Sequence, residues 1–412
     1  FGSSCGLKLR SDGMGKSKEK PTGPGTPGHS SVNGSYFLPC PLFAGASDGA
    51  GVVVTGGGLG GIEYGGANVL EAHAVGTDPE FSWNTFAQID EGKSQATYIS
   101  YSPELGAFVA AEQELSAAHT CKILVVDGAA KTMKVTASWK LCDAGKDPES
   151  TVVRVSPSGE QIASGGAKGL LQLWAYSANP TKTGELKGHD KDITDLAYSP
   201  SGELLASAAK DFTVRVWDQK GNELHKLQVN HPKTQQAMIM RTCLFMTNED
   251  GSFSLMTGSH GPRGPSIMTV WSLSAGAKVE RQKIIDEGAF CSTIFDAAQN
   301  YLAVGFLEGD VKIYQADNFK LLQQKQGAHS LSAAALAFIT GPEEETQTVC
   351  SVSGDYSVHI MKIGKSAGGS KLWMVALVVI VLAVLIANVA LKLEDHGRDI
   401  IIQQNIAKGT EL

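Results

Sequence analysis

The feature that most constrains this chain is a repeat. The runs LLQLWAY, TVRVWDQ, IMTVWSL, DVKIYQA and SVHIMKI carry the anchors Trp174, Trp217, Trp271, Tyr314 and Met361, which recur every 43 to 54 residues. Related runs read as strand, turn, strand: YISYSPELGAFVAA (98–111), VVRVSPSGEQIASGG (152–166), DLAYSPSGELLASAA (195–209) and STIFDAAQNYLAVGF (292–306). Short strands at even spacing, with Ser-Pro or Gly at the turns, signal an all-β protein. A repeat of this length matches one four-stranded propeller blade. Seven units can be counted, centred near 40–75, 94–128, 150–176, 192–219, 236–273, 290–316 and 331–363. The expectation is a seven-bladed β-propeller over residues 36–365. A segment near Ser35–Pro41 is expected to pair with the last blade and remove the open sheet edge.

One unit is sharper than the rest. Gly188–Asp218 resembles the WD-repeat family, with Gly188-His189 at its start, Asp211 within it and Trp217-Asp218 at its end. The resemblance implies a hydrogen-bonded tetrad of His189, Ser207, Asp211 and Trp217. Its role would be structural, because buried polar groups must find partners.

Outside the repeats, Leu372–Leu391 reads LWMVALVVIVLAVLIANVAL. At about 1.5 Å per residue a helix of this length spans a bilayer core of about 30 Å. One transmembrane helix is expected over 372–392. Lys362, Lys365 and Lys371 precede it, which orients the large domain to the cytosol and the tail, 393–412, to a lumen. Residues 1–35 are rich in Gly, Ser, Pro and Lys and lack an apolar run, so a disordered arm without a signal peptide is expected. The formal charge of −7 argues against a nucleic-acid binder. Seven scattered cysteines, none with CxxC spacing, read as free thiols in a reducing compartment. The chain ends Lys408-Gly409-Thr410-Glu411-Leu412, matching a lumenal retrieval signal only in its last two residues.

The run that points to function follows Val52-Val53-Val54-Thr55. Residues 56–66 contain seven glycines in eleven positions. Gly56, Gly58 and Gly61 formally match the dinucleotide-binding GxGxxG pattern, but that fingerprint opens a helix, and Gly65-Gly66 opposes one. A P-loop fails too, because no Lys-Ser/Thr follows. A bare hairpin tip is the plain alternative. Yet ordering so many glycines is costly, which favours a loop with a task.

A first blade with strand, poly-Gly loop and Gly-x-x-Asn leading into a strand resembles the COPII guanine-nucleotide exchange factors. That family also has a degenerate cytosolic propeller, one C-terminal membrane helix and a short tail in the lumen of the endoplasmic reticulum. The resemblance implies that Thr55 to Asn68 projects toward a Sar-type small GTPase. Gly56, Gly57, Gly58, Gly60, Gly61 and Gly65 would permit the turns, and Asn68 and Val69 would be most involved in exchange. It also implies a potassium ion held by backbone oxygens of Gly56, Gly57, Gly58 and Gly61. Such a protein performs no bond chemistry. In keeping with that, His119, His189, His231, His260 and His329 fall in different units without ligand spacing. Two further readings stay open: a membrane-anchored WD-repeat scaffold without exchange activity, and an enzyme, for which the sequence offers no site.

Overall fold

In a computed structural model the described residues are 35–363, except 39, 62–65, 77–81, 115–118, 143–149, 249, 263, 274–275, 297, 299 and 341–346. They form seven four-stranded antiparallel sheets, each a simple meander. Six sheets use consecutive strands. The seventh takes its outermost strand, β1 (Ser35–Phe37), from the start of the chain. There Ser35, Tyr36 and Phe37 pair with His359, Val358 and Ser357. The ring is thus closed by hydrogen bonds between its two ends, as expected.

The first blade is β2 (Leu42–Ser47), β3 (Val52–Gly61), β4 (Gly66–Gly76) and β5 (Ser82–Gly92). The second begins β6 (Ser94–Ser102), β7 (Ala107–Glu114) and β8 (His119–Asp127), and ends with Thr132–Cys142. Blades three to six run further than their anchors suggested, because a fourth strand follows. Thr181–Glu185, Glu223–Gln228, Lys278–Asp286 and Lys320–Lys325 lie on the rim, where mostly exposed, polar side chains leave no apolar alternation to read.

Successive side chains on a strand point to opposite sheet faces. Each blade therefore buries both faces against its neighbours. Seven apolar clusters result, one at each seam. Val54, Leu70 and Ala72 of the first blade meet Ala96, Ile99 and Phe108 of the second. On the other face Leu42, Val53, Val69 and Trp83 meet Ala337, Ile339 and Val352 of the seventh. Burying such a side chain contributes about 1.5–3 kcal/mol, and the seams hold the ring together.

Each innermost strand carries a β-bulge near its start, at Phe43, Thr97, Thr151, Thr194, Arg241, Cys291 and Ala334. A bulge re-aims a side chain. Thr194 Oγ1 donates to the Met240 carbonyl at 2.9 Å, Arg241 Nε to the Cys291 carbonyl at 2.9 Å, and Cys291 Sγ to the Ala333 carbonyl at 3.1 Å. Blades four to seven are thereby linked around the inner wall. Buried Asp195 extends this network, accepting from Arg154 Nη2 at 3.0 Å on one side and Thr242 Oγ1 at 2.7 Å on the other. The six cysteines among the described residues form no disulfide with one another. Among the described residues no helix is long and apolar enough to cross a membrane; Leu372–Leu391 lies outside them.

Candidate functional site

The glycine run is not a loop for most of its length. Thr55, Gly56, Gly57 and Gly58 on β3 pair with Glu71, Leu70, Val69 and Asn68 on β4, and Gly61 pairs with Gly66. A strand, not a helix, follows the glycines, so the dinucleotide fingerprint has no structural basis. The neighbouring strands end earlier. Leu42 at the start of β2 pairs with Gly57, and Gly92 at the end of β5 pairs with Asn68. Beyond Gly58 and Asn68 the hairpin is therefore two strands wide and outruns its blade. Gly60 and Gly61 lie on this spur; Gly65 lies outside the described residues.

The expected contact residues divide at that point. Thr55, Asn68 and Val69 are almost fully buried, and Gly56, Gly57 and Gly58 are buried with them. The expectation of a projecting loop from Thr55 to Asn68 is corrected to a buried root and a spur. Val69 packs in the seam between blades seven and one. Thr55 Oγ1 meets His73 Nε2 at 2.7 Å, and His73 Nδ1 meets Thr85 Oγ1 at 2.9 Å. Asn68 Nδ2 donates to the Gly92 carbonyl at 3.1 Å, and Gln95 Nε2 donates to the Gly58 carbonyl at 3.2 Å. Gly58 N donates to the Pro41 carbonyl at 3.1 Å.

The first glycines serve close approach. A Cβ on Gly56 would sit 2.4 Å from Ala96 Cβ, and one on Gly57 only 1.9 Å from the Pro41 carbonyl oxygen. This also bears on the potassium ion. Gly56 and Gly57 are flanked by paired strands on both sides, and the Gly58 carbonyl accepts from Gln95. Backbone committed in this way does not fit a carbonyl cage at Gly56–Gly58.

A charged cluster closes the seam beneath the root. Lys122 on β8 bridges Glu91, next to Gly92, and Glu112 on β7, with Nζ to Glu112 Oε2 at 2.9 Å. The Glu112 side chain is fully buried. Burial and the Glu91 charge push its carboxyl up to about 7, against the pull of Lys122. The sequence reading missed this cluster. Its signal was Glu112 in AFVAAEQE, at the inward position that continues Phe108 and Ala110. On the other face of the first blade, burial raises the Glu71 carboxyl. Burial and Glu71 together push the Cys40 thiol up to about 12. Among the described residues no group of three His, Cys, Asp or Glu side chains could hold a metal ion.

The tetrad residues meet in the fourth blade. His189 Nδ1 lies 2.8 Å from Asp211 Oδ2 and Nε2 2.8 Å from Ser207 Oγ, which accepts from Trp217 Nε1 at 2.9 Å. Burial opposes ionisation of Asp211, but bonds from His189 and Thr213 outweigh it and hold the carboxyl at about 2. Parts of the pattern recur. Trp174 donates to Ser164 and Trp271 to Thr257, while His329 lies 2.8 Å from Ser351. These are packing devices of the blades, repeated for the fold.

Residues 180–218 match the WD domain, G-beta repeat family. That stretch runs from the outer strand of the third blade through the first three strands of the fourth. No curated protein matches the sequence. Solved structures match widely in fold. Sqt1 from Saccharomyces cerevisiae superposes with a TM-score of 0.55 at 11% identity, covering 79% of this chain and 96% of that one. Sqt1 from Chaetomium thermophilum bound to the N-terminus of ribosomal protein L10 gives 0.54 at 16%, covering 78% and 97%. A chain of the COPII outer coat vertex on membranes gives 0.61 at 15%, covering 78% and 83%. At these identities the likeness is one of fold.

Proposed function

We propose that this chain is a guanine-nucleotide exchange factor for a Sar-type small GTPase, acting at the endoplasmic reticulum membrane to start COPII coat assembly. The observation that carries the reading is the glycine hairpin of the first blade. It pairs Gly56–Gly58 with Asn68–Leu70 and then outruns both neighbours. A two-stranded spur has little stability of its own, so it can adapt to a partner, while its root is held by packing. An exchange factor needs this and no bond chemistry. It must bind the nucleotide-free GTPase more tightly than the loaded one. The tethered span 372–392 fits recruitment on one membrane, with the propeller cytosolic and the tail lumenal. Asn68 takes the role of holding the spur at its base.

The test is release of fluorescent GDP from the purified Sar-type GTPase, with the full chain in detergent. Acceleration well above the spontaneous rate is expected, with loss of about tenfold or more in Asn68→Ala. Replacing potassium by sodium in the same assay tests the ion. A rate equal to spontaneous release sinks the reading and leaves the rival, a membrane-anchored scaffold that binds proteins without exchange.

A further inference from the structure

An apolar patch lies beside the hairpin root. Phe43, Leu331 and Tyr356 are each more than a third exposed. Phe43 and Leu331 meet at the seam of blades seven and one, and Tyr356 stands on the turn 354–356 beside them. A Cβ placed on Gly354 would lie 3.5 Å from Phe43 Cε1 and 3.8 Å from Leu331 Cδ1. The Tyr356 carbonyl accepts from Leu38 N at 2.8 Å, next to Phe37. Phe43 follows Leu42, the partner of Gly57, so the patch continues directly into the hairpin root. Of the other exposed large apolar residues, Leu224 and Leu321 stand singly on rim strands, Val125 and Val135 lie on the two outer strands of blade two, and Val279 and Ile284 on the rim strand of blade five.

Two details set the patch apart. Phe43 occupies the bulge position that in blades four to six carries Thr194, Arg241 and Cys291, each bonded to the next blade. In the first blade the same device presents an aromatic ring to solvent. The surrounding charge is also mainly acidic. The turns at this end of blades six and seven, 287–289, 307–310, 326–332 and 354–356, contain Glu287, Glu308, Asp310 and Asp355. Lys312, just past the second of these turns, offsets part of that charge, pairing with Asp286 and lying 3.9 Å from Asp310. A clustered apolar patch with an acidic rim marks a protein contact, and its complement has an apolar centre flanked by Lys or Arg.

We infer that Phe43, Leu331 and Tyr356 form the docking surface for the protein that the hairpin acts on, through an apolar patch of that partner bordered by basic residues. The inference rests on the exchange reading, so the probe is the nucleotide-free Sar-type GTPase. The informative variant is Phe43→Ser with Tyr356→Asn. Tyr356 sits at φ +70°, which Asn accepts readily, so that half of the variant relieves strain.

Binding to the full chain, and the chain concentration giving half-maximal GDP release, are measured together. A loss of about tenfold or more is expected for the double variant, the size of an aromatic hot spot. Leu224→Ser, an equally exposed apolar residue on the fourth rim, is expected to stay within about twofold as control. Glu287→Lys with Glu308→Lys is expected to slow association and weaken or reverse its salt dependence. If the wild-type chain accelerates release and the double variant matches it at every concentration, the docking surface is overturned and the exchange reading stands. If the wild-type chain neither binds nor accelerates, both fall.

Discussion

Removing one hydroxyl should cost twice as much in the fourth blade as in the third. Ser207 Oγ is fully buried and serves two neighbours, Trp217 Nε1 at 2.9 Å and His189 Nε2 at 2.8 Å. Ser164 Oγ, equally buried, serves Trp174 Nε1 at 2.9 Å. A buried polar group stripped of its partner costs about 1–3 kcal/mol. Ser207→Ala strands two such groups and should lose about 2–4 kcal/mol. Ser164→Ala strands one and should lose about 1–2 kcal/mol. The two substitutions delete the same atom at the same depth, so transfer and cavity terms largely cancel between them. Urea unfolding followed by tryptophan fluorescence measures both, and an unchanged m-value shows that each shift is one of stability. Equal losses, or a loss below about 0.5 kcal/mol for Ser207→Ala, would refute the view that His189 and Trp217 depend on that hydroxyl.

Other expectations follow from the same geometry. Gly57→Ala drives a methyl into the Pro41 carbonyl and should cost about 2–4 kcal/mol, whereas Gly184→Ala, whose nearest neighbour is 3.9 Å away, should stay within about 0.5 kcal/mol. Comparable Tm values for the two would show that close packing does not set the glycines of the root. Glu112 binds its proton more tightly folded than unfolded, so its contribution is full below about pH 4.5 and is lost as pH rises through about 7. Stability of the wild type should therefore fall from pH 5 to pH 8 relative to Glu112→Gln, as read from parallel urea titrations; parallel curves would remove the cluster from the account. Asp211 has the opposite sign: its stabilisation is present above about pH 4 and fades toward about pH 2, and Asp211→Asn should flatten acid unfolding in that window.

The ring was legible in the sequence because its signal is local and repeated. Trp174, Trp217 and Trp271 sit at the same place in successive blades, and inner strands buried on both faces stay apolar. The rim strands were not, since exposed Thr181–Glu185 and Glu223–Gln228 obey only their hydrogen bonds. The site was half legible, for a physical reason. A glycine run reads the same whether it frees the backbone or admits a neighbour, and the two uses impose opposite mechanics. Gly56 and Gly57 turn out to admit Ala96 and Pro41, so the root is among the most tightly packed backbone in the blade. Freedom begins only where β2 and β5 stop. The chain thereby places an adaptable spur on a rigid base. The residues that matter most for aiming it, Asn68, Gln95, Glu91, Lys122 and Glu112, converge from five strands of two blades. No linear motif could have gathered them, because seam packing rather than spacing brings them together.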